Sequence, residues 1–299
     1  MKLFFAIIAA ALWPLSLFAR EPSAGSSPAP ETQASEMTES ERFGVLSAED
    51  VAQALSALQQ RHISSATLGT NGIAKATLRG LLGELYPGAE LAGVEKTATP
   101  LSPFRAETLD GAVGYIRLGS LMTQTVGELE ATLKDFTARK VDAVVLDLRA
   151  TPETENYDLA AQAAARFVPA GTKLFSIHGP DGQAGKVFTA GGPRVFEGDV
   201  VIVADGTTAG AAEALAASLR RHTRAMIVGA NTSGRAVEFS TLPLGNEQVL
   251  RFATADIRIE GLPPVYPRGL APDLEVVQDR TERDDLLAGG LEKGVSSFV

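Results

Sequence analysis

Hydrophobic positions change their period along this chain, and each period predicts an element. Leu46 to Leu58 places Val51, Leu55 and Leu58 on one helical face, with Ser47 at the start and Asp50 three residues on, the pattern of a capped amphipathic helix. Gly72 to Leu85 repeats the helical spacing with Ile73, Leu78, Leu81, Leu82 and Leu85, and Pro87-Gly88 ends it. From Ala112 onward short apolar runs alternate with helical stretches. Strands are predicted over 112–118, 143–148, 173–178 and 200–203, and helices over 125–140, 156–167 and 209–221; further strands follow at 226–228, 236–241 and 248–259. Strands that alternate with helices predict an α/β core. Thr281 to Leu291 reads as one more helix, with a charged face.

The stretch VIVADGTTAGAAEALAASL, residues 201–219, carries the most chemistry. An apolar strand runs into Asp205 and Gly206, which break it, and an alanine-rich helix follows. A turn from strand to helix leaves unbonded backbone N–H groups at the helix start, where a nucleophile and an oxyanion can sit. Four motifs occur in order: GYIRLGSL (114–121), VVLDLR (144–149), this strand-turn-helix, and GLAPDLEV (269–276). Together they resemble the catalytic core of the C-terminal processing, or tail-specific, serine peptidases. The resemblance implies a spiral β-β-α core of the Clp protease and crotonase type, with an N-terminal helical segment. It also implies a groove that takes protein or peptide C-terminal segments, lined by Thr208, Ala209, Gly210, Ala211, Pro152, Glu153 and Arg235.

The residues that would do the chemistry differ from the family pattern. The family's serine sits in a Thr/Ser-Ala-Ser-Ala-Ser/Ala-Glu run with a general-base lysine 25 residues later; here the run is Thr208-Ala209-Gly210-Ala211-Ala212-Glu213, and the later position is Arg235. Glycine has no side chain and forms no acyl-enzyme. A guanidinium stays protonated and accepts no proton from a hydroxyl. The family's helper glutamine falls on Glu238, a carboxylate expected to pair with Arg235, with Glu153 as the other internal partner. Where the family continues Asp-Leu-Arg-Asn-Asn-Pro-Gly-Gly and uses a glycine N–H in its oxyanion hole, this chain has Glu153-Thr154 in the glycine places. Glycine reaches φ > 0 conformations that Glu and Thr adopt only under strain. Thr208 is the fallback nucleophile, although Thr207 and Thr208 also read as caps of a helix that begins near Ala209. His62, His178 and His222 read as surface residues, no metal-ligand spacing is present, and no cofactor is implied.

Residues 1–19, MKLFFAIIAAALWPLSLFA, have one Lys, an apolar run broken at Pro14 and a small residue at Ala19. This is expected to be a signal peptide rather than an anchor, because the uninterrupted run is too short to cross a bilayer. Residues 20–42, rich in Pro, Ser, Ala and Glu, read as a disordered linker. The remaining expected pieces are a helical segment 43–88, a connector 89–112 where the family carries a PDZ module, the core 113–277 and a tail 278–299. The 27 Lys and Arg against 36 Asp and Glu give a net charge of −9, with no basic stripe, which argues against nucleic acid as a partner. There is no cysteine, so neither a disulfide framework nor a lipid-bearing cysteine is available. Periplasmic or secreted localisation, with no membrane span after signal cleavage, is the expectation.

The function expected from these features is that of a pseudopeptidase that binds peptide tails or regulates a partner. An active serine-type peptidase with a displaced nucleophile, or a structural or assembly subunit, are the alternatives. An open apolar cleft beside the helix start favours binding, whereas a cleft filled by Arg235, Glu238 and Glu153 favours a structural subunit.

Overall fold

The computed structural model describes residues 44–63, 70–93, 102–109 and 112–276. The expected signal peptide, linker and C-terminal helix lie outside these residues. The chain divides into two compact units, 1–69 and 70–299. In the first, helix α1 (Ala48–Arg61) starts as its sequence dictates: Ser47 Oγ accepts from the Asp50 N–H at 3.1 Å, and Asp50 Oδ2 accepts from the Ser47 N–H at 2.8 Å.

The second unit opens with α2 (Thr70–Glu84), β1 (Ala89–Gly93) and β2 (Arg105–Leu109), and continues with β3 (Val113–Arg117), α3 (Thr123–Ala138), β4 (Ala143–Asp147) and α4 (Tyr157–Ala164). Next come β5 (Lys173–His178), β6 (Ala184–Thr189), β7 (Asp199–Ala204) and α5 (Ala211–Thr223), and then β8 (Met226–Gly229), β9 (Val237–Pro243), β10 (Gln248–Arg258) and β11 (Leu274–Glu275). One sheet has the order β11-β8-β7-β4-β3-β2, parallel except for β2, which runs antiparallel to β3. Parallel neighbours need crossovers, and α3 and α5 supply those between β3 and β4 and between β7 and β8. Such strands are covered on both faces. Val144, Leu146, Ile202 and Ile227 are accordingly fully buried.

Helix α3 turns Val126, Leu129, Leu133 and Phe136 inward at helical spacing. Helix α5 buries Ala211, Ala212, Ala214, Ala216 and Ala217 beside Leu215 and Leu219, and its small side chains allow a close seat for the helix start that bears the site. The other sheet is antiparallel, in the order β1-β10-β5-β6, with β9 also paired to β10. Its inner face joins the same core through Phe175, which stacks on Phe188 at 4.5 Å and meets Tyr157 edge-on at 6.2 Å. The α/β class expected from the alternating periods is therefore present. Among the described residues no helix is long and apolar enough to cross a membrane.

Candidate active site

The turn after β7 is built by short side chains that hold their own backbone. Asp205 Oδ1 accepts from the Thr207 N–H at 2.8 Å and from the Thr207 hydroxyl at 2.5 Å. Thr208 is fully buried; its hydroxyl donates to the Leu148 carbonyl at 3.3 Å and accepts from the Asp205 N–H at 3.2 Å. Thr207 Oγ1 accepts from the Ala150 N–H at 3.2 Å. Both threonines thus brace the turn against the end of β4 and do not cap α5, which begins at Ala211 rather than Ala209. The cap comes from within the helix instead: the Gly210 N–H donates to Glu213 Oε2 at 3.1 Å.

Gly210 has φ 59° and ψ −122°, a backbone conformation that a residue with a Cβ occupies only under strain. A Cβ added there would lie 2.6 Å from the Thr154 carbonyl oxygen. The same oxygen accepts from the Ala211 N–H at 2.9 Å, so one of the donors that a helix start could offer an oxyanion is already used. Glu153 Cγ stands 3.5 Å from where that Cβ would be. The residues in the family's glycine places, Glu153 and Thr154, therefore cover position 210, with Ala209 and Ala211 buried on either side and Pro152 half-buried.

Glu213, fully buried, ties the following loop to the helix start. Besides Gly210 it accepts from the Thr232 hydroxyl at 2.5 Å, the Ser233 hydroxyl at 3.1 Å, the Gly234 N–H at 2.7 Å and the Arg235 N–H at 2.8 Å. Burial pushes its carboxyl above the usual range, and the hydrogen bonds from Thr232, Gly234, Arg235 and Ser233 oppose that rise. Glu213 was visible in the sequence as the last residue of the Thr208–Glu213 run, three places after Gly210. The capping-box spacing was the signal that could have assigned it a role.

Arg235, whose side chain is 11% exposed, sits in a cluster of two arginines and three glutamates. Its Nη2 donates to Glu90 Oε1 at 2.8 Å, its Nε to Glu153 Oε2 at 3.2 Å, and its Nη1 to the Pro87 carbonyl at 3.2 Å. Arg251 donates to Glu90 at 3.2 Å, to Glu153 at 3.0 Å and to Glu155 at 2.9 Å. Both guanidiniums lie over the Phe239 ring, 4.8 and 3.8 Å from its centre. Of the two internal partners expected for Arg235, Glu153 is present and Glu238 is not. The reason is strand alternation: Phe239 on β9 faces the cluster, so its neighbour Glu238 faces the other way. The β9 backbone is also occupied here, because the Val237 carbonyl accepts from the Tyr157 hydroxyl at 2.6 Å and the Phe239 N–H donates to Glu155 at 2.9 Å. Of the histidines, His62 is exposed, His222 half-buried, and His178 is not a plain surface residue, since its ring bonds Ser176 and Gly182 on and after β5.

The hydrogen bond from Arg235 holds the Glu90 carboxyl below the usual carboxylate range, against the opposing effect of burial. A lowered folded-state pKa contributes stability above the unfolded pKa that is lost as pH falls through the folded one. Melting curves should therefore show wild type ahead of Glu90→Gln at neutral pH. That gap should close as pH falls through the ordinary glutamate range, about 4 to 5, and below.

The sequence profile of peptidase family S41 matches residues 112–276. The match covers more than half of the chain, and the chain belongs to this family. The carboxy-terminal-processing protease of Bartonella bacilliformis is 29% identical over 180 residues, 58% of this chain and 41% of that protein. The carboxyl-terminal-processing protease of Synechocystis sp. is 28% identical over 182 residues, 60% of this chain and 42% of that protein. This chain thus spans about two-fifths of the length of these relatives. Among solved structures, the photosystem II D1 C-terminal processing protease is similar at 20% identity and a TM-score of 0.48, covering 63% of this chain and 48% of that one. The core matched by the family is mixed α/β, with one largely parallel and one antiparallel sheet.

Proposed function

We propose that this chain is an exported S41 pseudopeptidase, which keeps the peptidase scaffold, hydrolyses no peptide bond, and acts by binding protein tails or regulating an active relative. The observation that carries this reading is position 210. A side chain there would collide with the Thr154 carbonyl, and that carbonyl also takes the Ala211 N–H. Acyl-enzyme chemistry needs a side-chain nucleophile and free donors for the oxyanion; position 210 has no side chain, and the Gly210 and Ala211 N–H groups are already bonded within the chain. Thr208 offers no substitute, because its hydroxyl is buried and bonded to the Leu148 carbonyl. The base position is an arginine held by two carboxylates. Export rests on the signal-type residues 1–19.

A structural or assembly subunit is the second reading. It is favoured by one observation: Arg235 and Arg251 are already paired within the chain with Glu90, Glu153 and Glu155.

Titrating labelled peptides that have free or amidated C-termini separates the two. In the binding reading a peptide carboxylate replaces Glu153 on Arg235. Wild type then prefers the free carboxylate about tenfold or more, and Arg235→Ala abolishes that preference. Equal affinity for both peptides, with Arg235→Ala changing only the melting temperature, removes carboxylate capture and leaves the structural reading. Arg235→Ala should lower stability by about 1–2 kcal/mol in either case, because Glu90 and Glu153 lose a half-buried partner.

A further inference from the structure

A hydroxyl and an imidazole form a second candidate pair on β5, outside the Gly210 turn. Ser176 and His178 are two residues apart on a strand and so share a face. Ser176 Oγ lies 2.9 Å from His178 Nε2, and His178 Nδ1 lies 3.0 Å from the Gly182 carbonyl oxygen. A carbonyl oxygen only accepts, so Nδ1 carries the ring proton. In the neutral ring Nε2 is then bare, and the Ser176 hydroxyl donates to it. A nucleophile donating to a base whose far nitrogen is held by a third group is the order that acyl transfer requires.

The surroundings supply a place for a substrate. Across the antiparallel β5–β10 pair, Arg258 stands opposite Ser176 and Asp256 opposite His178. Arg258 Nε donates to Asp256 Oδ2 at 2.9 Å, which steadies the guanidinium on the Ser176 face. Ser176, 5% exposed, reaches with His178 the wall of a surface cavity of about 370 Å³ that Ile259, Leu262, Lys173, Arg258 and Glu260 also line. That size suits a small molecule. Its apolar wall suits a short acyl chain, while Lys173 pairs with Glu260 at 3.4 Å and Arg258 with Asp256 at 2.9 Å, so the charges around it are balanced and suit an uncharged substrate.

We propose that Ser176 and His178 form an esterase-type site for small uncharged acyl esters. Ser176 Oγ attacks the ester carbonyl carbon while His178 Nε2 takes the hydroxyl proton. The bond from that carbon to the alcohol oxygen breaks, and the alcohol leaves with the proton from Nε2, giving acyl-Ser176. Water then attacks the acyl carbon and passes a proton to Nε2; the Ser176 oxygen departs, regains that proton, and the carboxylic acid is released. Arg258, the cross-strand partner of Ser176, is the cation on the face where the oxyanion develops.

This inference does not rest on the Gly210 reading. The test treats the full chain with a fluorophosphonate, maps the adduct by peptide mass spectrometry, and follows hydrolysis of p-nitrophenyl acetate. The expected result is an adduct on Ser176, with labelling and hydrolysis each falling at least tenfold in Ser176→Ala and in His178→Gln. Unchanged melting of Ser176→Ala shows that the loss is chemical. An adduct elsewhere, no adduct, or hydrolysis that both variants retain would overturn the proposal and leave Ser176–His178 a structural hydrogen bond.

Discussion

Placing a serine at position 210 is expected to destabilise the protein by about 2–6 kcal/mol and to create no peptidase. Two costs add. The backbone at Gly210, φ 59° and ψ −122°, strains any residue that has a Cβ, at about 1–3 kcal/mol. The new Cβ would also press on the Thr154 carbonyl at 2.6 Å, and forcing atoms into a filled space costs about 1–3 kcal/mol more. Relief by moving Thr154 would break its bond from the Ala211 N–H and disturb Glu153, which both arginines hold. Adding Arg235→Lys should not rescue activity, because the 152–155 segment still covers the helix start. Denaturant midpoints and a peptide-cleavage assay on Gly210→Ser, alone and with Arg235→Lys, check this. Wild-type stability in the single variant, or cleavage by the double, would be the contrary result.

Glu213→Ala is expected to be still more damaging, by about 4 kcal/mol or more. Its carboxylate receives five donors, three of them backbone N–H groups that cannot turn toward another partner. Each buried donor left unsatisfied costs about 1–3 kcal/mol. Glu213→Gln should be milder, because the amide oxygen still accepts, although its NH₂ faces groups that also donate. Denaturant unfolding of the two variants measures the order, and an alanine variant within about 1 kcal/mol of wild type would show that the loop 232–235 is held by something else.

Much of the core could be read from periodicity because it consists of long apolar runs. β5 was expected over 173–178 and lies there, and the strands around 144 and 202 differ from their expected bounds by one or two residues. The missed strands were the weak ones. β1 reads Ala-Glu-Leu-Ala-Gly and β6 begins Ala-Gly-Lys, compositions of low strand propensity that are strands because β10 and β5 offer them edges. Thr208 resembles an N-cap residue, which predicts a helix start at Ala209, two residues before α5 begins. Its hydroxyl instead serves the Leu148 carbonyl, sixty positions away in sequence.

The cleft divides in the same way. That Gly210 and Arg235 stand in the nucleophile and base positions follows from local motifs. The partners that close the cleft do not: Glu90 lies 145 residues from Arg235, and Arg251 meets Glu153 across 98. Only the folded sheet brings β1, β10 and the 152–155 segment together, and a lone sequence carries no spacing rule for such pairs.

The central claim is that this S41 core hydrolyses no peptide bond. The most direct test incubates the purified full chain with an unfolded protein substrate and follows new peptide termini by mass spectrometry. No new termini above the substrate-only control are predicted, for wild type and Thr208→Ala alike. Cleavage by wild type, above all cleavage that disappears in Thr208→Ala, would contradict the claim and make Thr208 the nucleophile.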